Sequence, residues 1–246
     1  MRNGRIDLLA LMALLSGWAL VAAVAHSPLL PSPARVLDVG LREIQNGNLP
    51  FHLGMTLLRL IASFTLSMLI GTSLGILLGR KGRLDRFFST WLTIALNIPA
   101  LVSIILCYVW FGLNEFAAIF AVFLNKVPNV IVTLREGTRQ LNRDLMEMAA
   151  VYRLGPYKTI RHVIWPQLFP YAMTAARTGL ALIWKIVLVV ELLGRSNGMG
   201  YQLHLYFQMF DVAGILAYSI AFIAVVQCIE WVCLAPLDRA ALRWKR

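Results

Sequence analysis

Residues 55–79 read MTLLRLIASFTLSMLIGTSLGILLG, a continuous apolar run interrupted by a single charge, Arg59. A membrane-crossing helix needs about 20 mainly apolar residues, and this run exceeds that length. Its apolar residues do not alternate with polar ones, which excludes a spanning β-strand. Ser67, Gly71, Gly75 and Gly79 recur every fourth residue, so small side chains line one helical face. In lipid, helices associate through close packing and not through water exclusion, so this face predicts a tightly apposed partner helix.

Five further runs resemble it, at about 6–26, 87–111, 115–134, 168–193 and 212–235. The 246-residue chain is 59% apolar and 14% charged, with mean hydropathy +0.70. Soluble domains sit near about 45–50% apolar and about 25% charged. The expected fold is therefore all-α, a polytopic membrane bundle of about six transmembrane helices forming one domain over 1–246. Arg2 and Arg5 precede the first run, which ends at Ala23-Val24-Ala25, a pattern like a signal-peptide cleavage site. The run is long for a signal peptide and five more follow, so it is read as a retained helix. Pro99 and Pro128 are expected to kink the third and fourth spans. Between the first two spans, the prolines from Pro28 to Pro50 frame a short amphipathic stretch, Ala34 to Ile44, with a turn near Asn46-Gly47-Asn48.

A net charge of +11 would suggest nucleic acid in a polar chain. Here position decides. With the N-terminus inside, sixteen of the 23 Lys and Arg residues fall on the inner side. They are Arg2 and Arg5; Arg80, Lys81, Arg83 and Arg86; Arg135, Arg139, Arg143, Arg153, Lys158 and Arg161; and Arg239, Arg243, Lys245 and Arg246. The outer connections hold Arg35, Arg42 and Arg195. This asymmetry predicts both termini in the cytoplasm and lipid as the basic residues' partner, with no nucleic acid.

The connection 135–166 is longer than a bundle needs to turn between spans. Leu141, Leu145, Met148 and Tyr152 share one helical face, with Arg139, Arg143 and Glu147 on another. Gly155 is expected to end that helix in a left-handed conformation and Pro156 to start a second, about Tyr157 to Ile164, which ends at Pro166. On these grounds alone the segment is either a solvated hairpin against headgroups or a docking element.

Glu147-Met148-Ala149, with Gly155 and then Pro166 nineteen residues after the glutamate, resembles the EAA loop of bacterial ABC-importer permeases. Arg153 stands where that loop usually has glycine, and Trp165 where it has leucine. Ile98-Pro99-Ala100, Val109-Trp110-Phe111-Gly112-Leu113, Arg177-Thr178-Gly179-Leu180-Ala181 with Trp184, Glu191, and Ser196-Asn197-Gly198-Met199-Gly200-Tyr201 are similar to the nitrate/sulfonate/taurine subfamily. The resemblance covers about residues 50–235. It implies a permease subunit in the inner membrane of a bacterium, most simply a homodimer, moving a small solute delivered by a periplasmic binding protein. A separate cytoplasmic ABC ATPase would bind ATP, so no cofactor is expected on this chain. The coupling residues implied are Glu147, Ala149, Arg153, Gly155, Pro156, Lys158, Arg161 and Pro166. The solute class implied is a small anion such as a sulfonate, taurine, nitrate or bicarbonate, the alternative being a thiamine-precursor pyrimidine.

Charges at membrane depth are costly, so each needs a partner or a wet cavity. Arg59 is expected to snorkel, Arg177 and Glu230 to pair structurally, and Glu191 to pair with Arg195 one turn away. Lys126 and Lys185 either pair within the bundle or, with Glu191, line the translocation path and favour an anion.

An intramembrane enzyme is the reading from another class, and it would need paired acids, a His cluster or a nucleophilic triad. The four histidines show no metal-ligand spacing, and no catalytic or metal-binding residue is assigned. Gly75 to Lys81 lacks the spacing of a phosphate-binding loop. Cys107, Cys228 and Cys233 all lie in apolar runs and read as small buried residues.

Overall fold

The computed structural model describes residues 4–25 and 27–234, and all regular structure among them is helical. In chain order the helices are α1 (Gly4–Ala25), α2 (Pro33–Gln45), α3 (Asn48–Arg80), α4 (Gly82–Asn97), α5 (Ala100–Phe111), α6 (Glu115–Arg139), α7 (Arg143–Val151), α8 (Pro156–Thr159), α9 (Trp165–Gly194), α10 (Met199–Gln208) and α11 (Val212–Ile229). Two π-helical stretches, Ile160–Ile164 and Glu230–Leu234, follow α8 and α11. Arg2 and the basic group Arg239, Arg243, Lys245 and Arg246 lie outside the described residues.

Among the described residues three helices are long and apolar enough to cross a membrane: α3, α6 and α11 with the first part of its π-helical continuation. Helices α4 and α5, bent by 96° to one another, are together long and apolar enough for a fourth. The third expected run is thus broken. Ile98 is extended (ψ 123°), as the residue before a proline tends to be, and Pro99 begins the next helix without needing an N–H partner. Pro128, by contrast, lies within an unbroken α6. Helix α9 runs for 30 residues but carries Arg177, Lys185 and Glu191. In α1 the apolar stretch is Met12–Ala25.

The amphipathic stretch between the first two spans forms α2 as expected. Ser32 caps it, accepting from Arg35 N at 3.3 Å, and Pro33 opens it. Gly47 (φ 77°) turns the chain into α3, which begins well before Met55.

The small-residue stripe packs α3 against α6. A Cβ on Gly71 would lie 2.6 Å from Val130 Cβ, one on Gly75 2.7 Å from Leu134 Cβ, and one on Gly79 2.5 Å from Thr138 Cβ. The matched numbers rise together, so the two helices run parallel, with α4 and α5 returning the chain between them. Helix α9 covers α6 through Val130, Leu134, Ile164, Leu168, Ala172 and Ala175. Toward the other end, Ile104, Cys107, Ala121, Val122, Ile183, Val187 and Tyr218 build the larger core. Leu58, Ile61 and Leu69 on the far side of α3 stay more than half exposed, as a lipid-facing surface requires. Cys107 is buried, whereas Cys228 is exposed, contrary to the expectation; the side chain of Cys233 lies outside the description.

Candidate functional site

The connection 135–166 is tied down by polar side chains. Asn142 caps α7, its Oδ1 accepting from Asp144 N at 2.8 Å and Leu145 N at 3.2 Å. Asn142 N in turn donates to Gln167 Oε1 at 2.8 Å, while Gln167 Nε2 donates to Val163 O at 2.8 Å. Tyr171 OH donates to Gln140 Oε1 at 2.5 Å. The start of α9 therefore holds the end of α6 and the N-terminal end of α7.

Of the expected apolar face, Leu141 packs inward, but Leu145, Met148 and Tyr152 are 40%, 42% and 74% exposed. Ala149 is buried at 2%. Glu147 and Arg143 are exposed and, among the described residues, form no ion pair with each other. The left-handed residue is Arg153 (φ 48°), at the place the resemblance gave to glycine, while Gly155 is ordinary extended backbone (φ −62°, ψ 160°). The turn closes as a helix C-terminus does: Arg153 N donates to Ala150 O at 3.0 Å and Leu154 N to Ala149 O at 2.9 Å. Pro156 opens α8 as expected.

Pro166 does not end the second helix. Helix α8 continues through the π-helical stretch into α9, with Trp165 N bonded back to Ile160 O, and Pro166 lies in the first turn of α9. The wider π-turn relieves the clash a proline ring normally makes with the preceding turn. Arg153, Lys158 and Arg161 are all exposed around this corner, and Arg161 Nη1 donates to Tyr157 OH at 3.0 Å.

A second ionic group at this end was not anticipated. Asp85 of α4, 6% exposed, takes Arg135 Nη1 at 3.1 Å and also Arg139 Nη2, while Glu136 bridges the same two arginines. It fixes α4 to the end of α6.

The opposite end holds a buried network built on Arg59, which is 1% exposed and does not snorkel. Its Nε and Nη2 donate to Glu115 at 2.8 and 2.7 Å, and its Nη1 donates to Glu191 Oε1 at 2.7 Å and Asn197 O at 3.0 Å. Nη2 also reaches Asn197 Oδ1. Glu191, 0% exposed, accepts further from Thr56 Oγ1 at 2.9 Å and Gly200 N at 2.9 Å. Its partner is Arg59 and not Arg195, because Arg195 turns to Glu115 Oε1 at 2.5 Å and Leu113 O at 2.9 Å. Thr56 Oγ1 also accepts from Met199 N at 2.8 Å, and His52 Nδ1 accepts from Gly198 N at 3.0 Å. Two arginines thus balance two glutamates while joining α3, α6, α9 and the 195–200 turn. Nearby, Tyr218 OH donates to Glu43 Oε2 at 2.8 Å, fixing α2 to α11. Burial, with the charge of Glu43 adding to it, pushes the adjacent Tyr206 phenol up to about 12.

The two candidate lysines do not converge. Lys126, 2% exposed, lies against Gly179 in the α6–α9 seam, where a Cβ on the glycine would sit 2.8 Å from Nζ. Lys185 lies on the exposed face of α9 with Thr174, Arg177, Thr178 and Ala181. Arg177 and Glu230 approach to 4.0 Å, the structural pairing expected of them. Among the described residues no cluster of three His, Cys, Asp or Glu could hold a metal ion.

Residues 71–233 match the family model of the binding-protein-dependent transport system inner membrane component. The chain is 26% identical over 240 residues to a probable ABC transporter permease protein of Brucella abortus (strain 2308), covering 98% of this chain and 95% of that protein. It is 29% identical over 231 residues to the putative aliphatic sulfonates transport permease protein SsuC of Escherichia coli (strain K12), covering 92% and 87%. In fold it matches a chain of the MetNI methionine ABC transporter in an inward-facing conformation, with TM-score 0.68 at 19% identity, over 83% of this chain and 99% of that one. Its relatives are transport permeases and not enzymes. The chain belongs to the inner membrane component family of binding-protein-dependent transport systems: it is the permease of an ABC importer, a membrane subunit that works with an ATPase and a binding protein.

Proposed function

We propose that two copies of this chain enclose the path for a small organic or inorganic anion, of the sulfonate type, brought by a periplasmic binding protein. The observation that carries this reading is the exposed face of α9. Thr174, Thr178 and Lys185 lie on it near the middle of α9, beside Arg177, which pairs with Glu230 at 4.0 Å. Insertion scales charge roughly 2.5–3.5 kcal/mol for each such cation placed in hydrocarbon. Facing a second copy across a wet cavity removes that cost, and cationic walls favour an anion over a neutral or cationic solute. The likeness to a sulfonate permease supports the same solute class. Glu191 serves this path from behind, as the buried anchor of its mouth.

In this reading both termini and the 135–166 connection face the cytoplasm. Leu145, Met148 and Tyr152 form the apolar patch that enters a groove on the ATPase, and Arg153, Lys158 and Arg161 surround it. Glu147 and Ala149 set α7, while Gly155, Pro156 and Pro166 set the corner leading to α9. ATP binds the separate subunit.

The test is transport in proteoliposomes containing the ATPase and the binding protein. Lys185→Met lowers anion uptake while the ATPase still co-purifies; uptake equal to that of the unchanged complex refutes the path assignment. Glu147→Lys combined with Gly155→Trp lowers ATPase co-purification, and unchanged co-purification and transport refute the docking assignment.

A further inference from the structure

Lys126 is a cation 98% removed from solvent at membrane depth, yet among the described residues it has no ion pair and no hydrogen bond. A buried ammonium without a counter-charge is among the most expensive arrangements a fold can hold. One turn along α3 from Gly71 lies Ser67, 0% exposed, whose Oγ is a buried polar atom with no partner. The α3–α6 register matches Gly71 with Val130, Gly75 with Leu134 and Gly79 with Thr138. Stepping one turn back on both helices matches Ser67 with Lys126. The unpartnered Ser67 hydroxyl and Lys126 therefore stand at the same level of the α3–α6 register, the ammonium reaching on toward Gly179 of α9. Gly179 contributes by lacking a side chain, which leaves the ammonium its place against α9.

Ser63, one turn earlier, shows what a serine on this stripe does when it needs nothing else. Its Oγ donates to Arg59 O at 2.6 Å. Ser67 makes no such bond and keeps its hydrogen for another acceptor. An acceptor shared with Lys126 would also supply negative charge, because among the described residues no carboxylate forms an ion pair with that lysine.

We propose that Lys126 and Ser67 bind one resident monovalent inorganic anion, of the halide class, as the counter-ion of the helix junction. The site is distinct from the transport path, which the exposed face of α9 lines. A single negative charge neutralises the ammonium, and a spherical acceptor takes hydrogen bonds from an Nζ–H and the serine O–H without a fixed geometry.

The probe is sodium chloride against sodium gluconate at equal ionic strength, with the purified permease–ATPase complex in detergent. The readout is thermal unfolding followed by tryptophan fluorescence. Chloride raises the midpoint of the unchanged protein in a saturable way. Lys126→Met abolishes this dependence, and Ser67→Ala raises the chloride concentration for half the effect by about tenfold, the weight of one hydrogen bond to a charged group. Crystals of the unchanged complex grown in bromide show an anomalous peak between Lys126 and Ser67, which keeps the test open if Lys126→Met does not fold. The stabilisation persists at saturating methanesulfonate. A midpoint indifferent to chloride, a chloride effect retained by Lys126→Met, the absence of a bromide peak, or competition by methanesulfonate each overturns the resident-ion assignment. Only the last of these would bring Lys126 into the path, and none of them touches the role of Lys185.

Discussion

Replacing Arg59 by methionine removes the hub of the buried network while keeping a side chain of similar reach. Five hydrogen bonds are lost, from Arg59 to Glu115, Glu191 and Asn197. Glu115 retains Arg195, at 2.5 Å. Glu191 retains only the neutral donors Thr56 and Gly200, and it is 0% exposed, so its charge is stranded. Removing one partner of a buried pair costs about 3–5 kcal/mol, most of it the penalty of the charge left behind. For a chain of this length, where each kcal/mol is worth about 2–4 °C, the unfolding midpoint falls by roughly 6–20 °C. The diagnostic is a second change. Glu191→Gln in the Arg59→Met background removes the stranded charge and keeps an oxygen for Thr56 and Gly200, leaving Glu115 and Arg195 as a balanced pair. The double variant recovers at least half of the lost midpoint. Thermal unfolding of the permease–ATPase complex measures both. A single variant within about 2 °C of the unchanged protein refutes the charge-balance reasoning, as does a double variant that falls by the sum of the two single losses.

Gly75→Val places a Cβ 2.9 Å from Ile131 O and 3.2 Å from Arg135 N, backbone atoms that cannot turn aside. Overpacking of this kind costs about 1–3 kcal/mol, so the yield of folded permease drops, whereas Leu69→Val on the exposed face of the same helix leaves it unchanged. Arg153→Gly relieves a non-glycine residue of its left-handed backbone and raises the unfolding midpoint slightly, by the equivalent of about 1 kcal/mol; a lower midpoint would show that the arginine side chain holds the turn. Asp85→Asn leaves Arg135 and Arg139 sharing Glu136 alone, so limited proteolysis between α3 and α4 speeds up, and an unchanged digestion rate refutes the clamp.

The parts of this molecule that follow from neighbouring residues were legible in the sequence. Of the six expected spans, apolar runs marked α3, α6, α11 and the bent α4–α5 pair; the four-residue stripe from Ser67 to Gly79 marked a close helix contact, and the prolines with the turn at Asn46-Gly47-Asn48 framed α2. What depends on distant residues was not. Arg59 lies 56 positions from Glu115 and 132 from Glu191, so nothing local announced that it would be buried. Glu191 had Arg195 one turn away, yet the fold offered each a better-placed partner. The Asp85 clamp joins residues 50 and 54 positions apart. Pro99 signalled a bend, but the 96° between α4 and α5 is set by how both rest on α6. Around residue 153 the family pattern was more informative than propensity, because the backbone keeps the conformation that glycine usually serves even with arginine present.

From Pro156 to Gly194 the chain is one helical rod without a break. At 1.5 Å per residue it extends for roughly 55 Å, from the corner of the 135–166 connection to the ring of charges around Glu191. A rod of this kind has no slack, so a shift at its foot arrives at its head as a shift. The π-turn at Ile160–Ile164 is a compliant joint near its foot. There a looser hydrogen-bond pattern can take up twist while length is conserved, which, on the docking proposed above, makes it a torsion coupling between the 135–166 connection and the rest of α9.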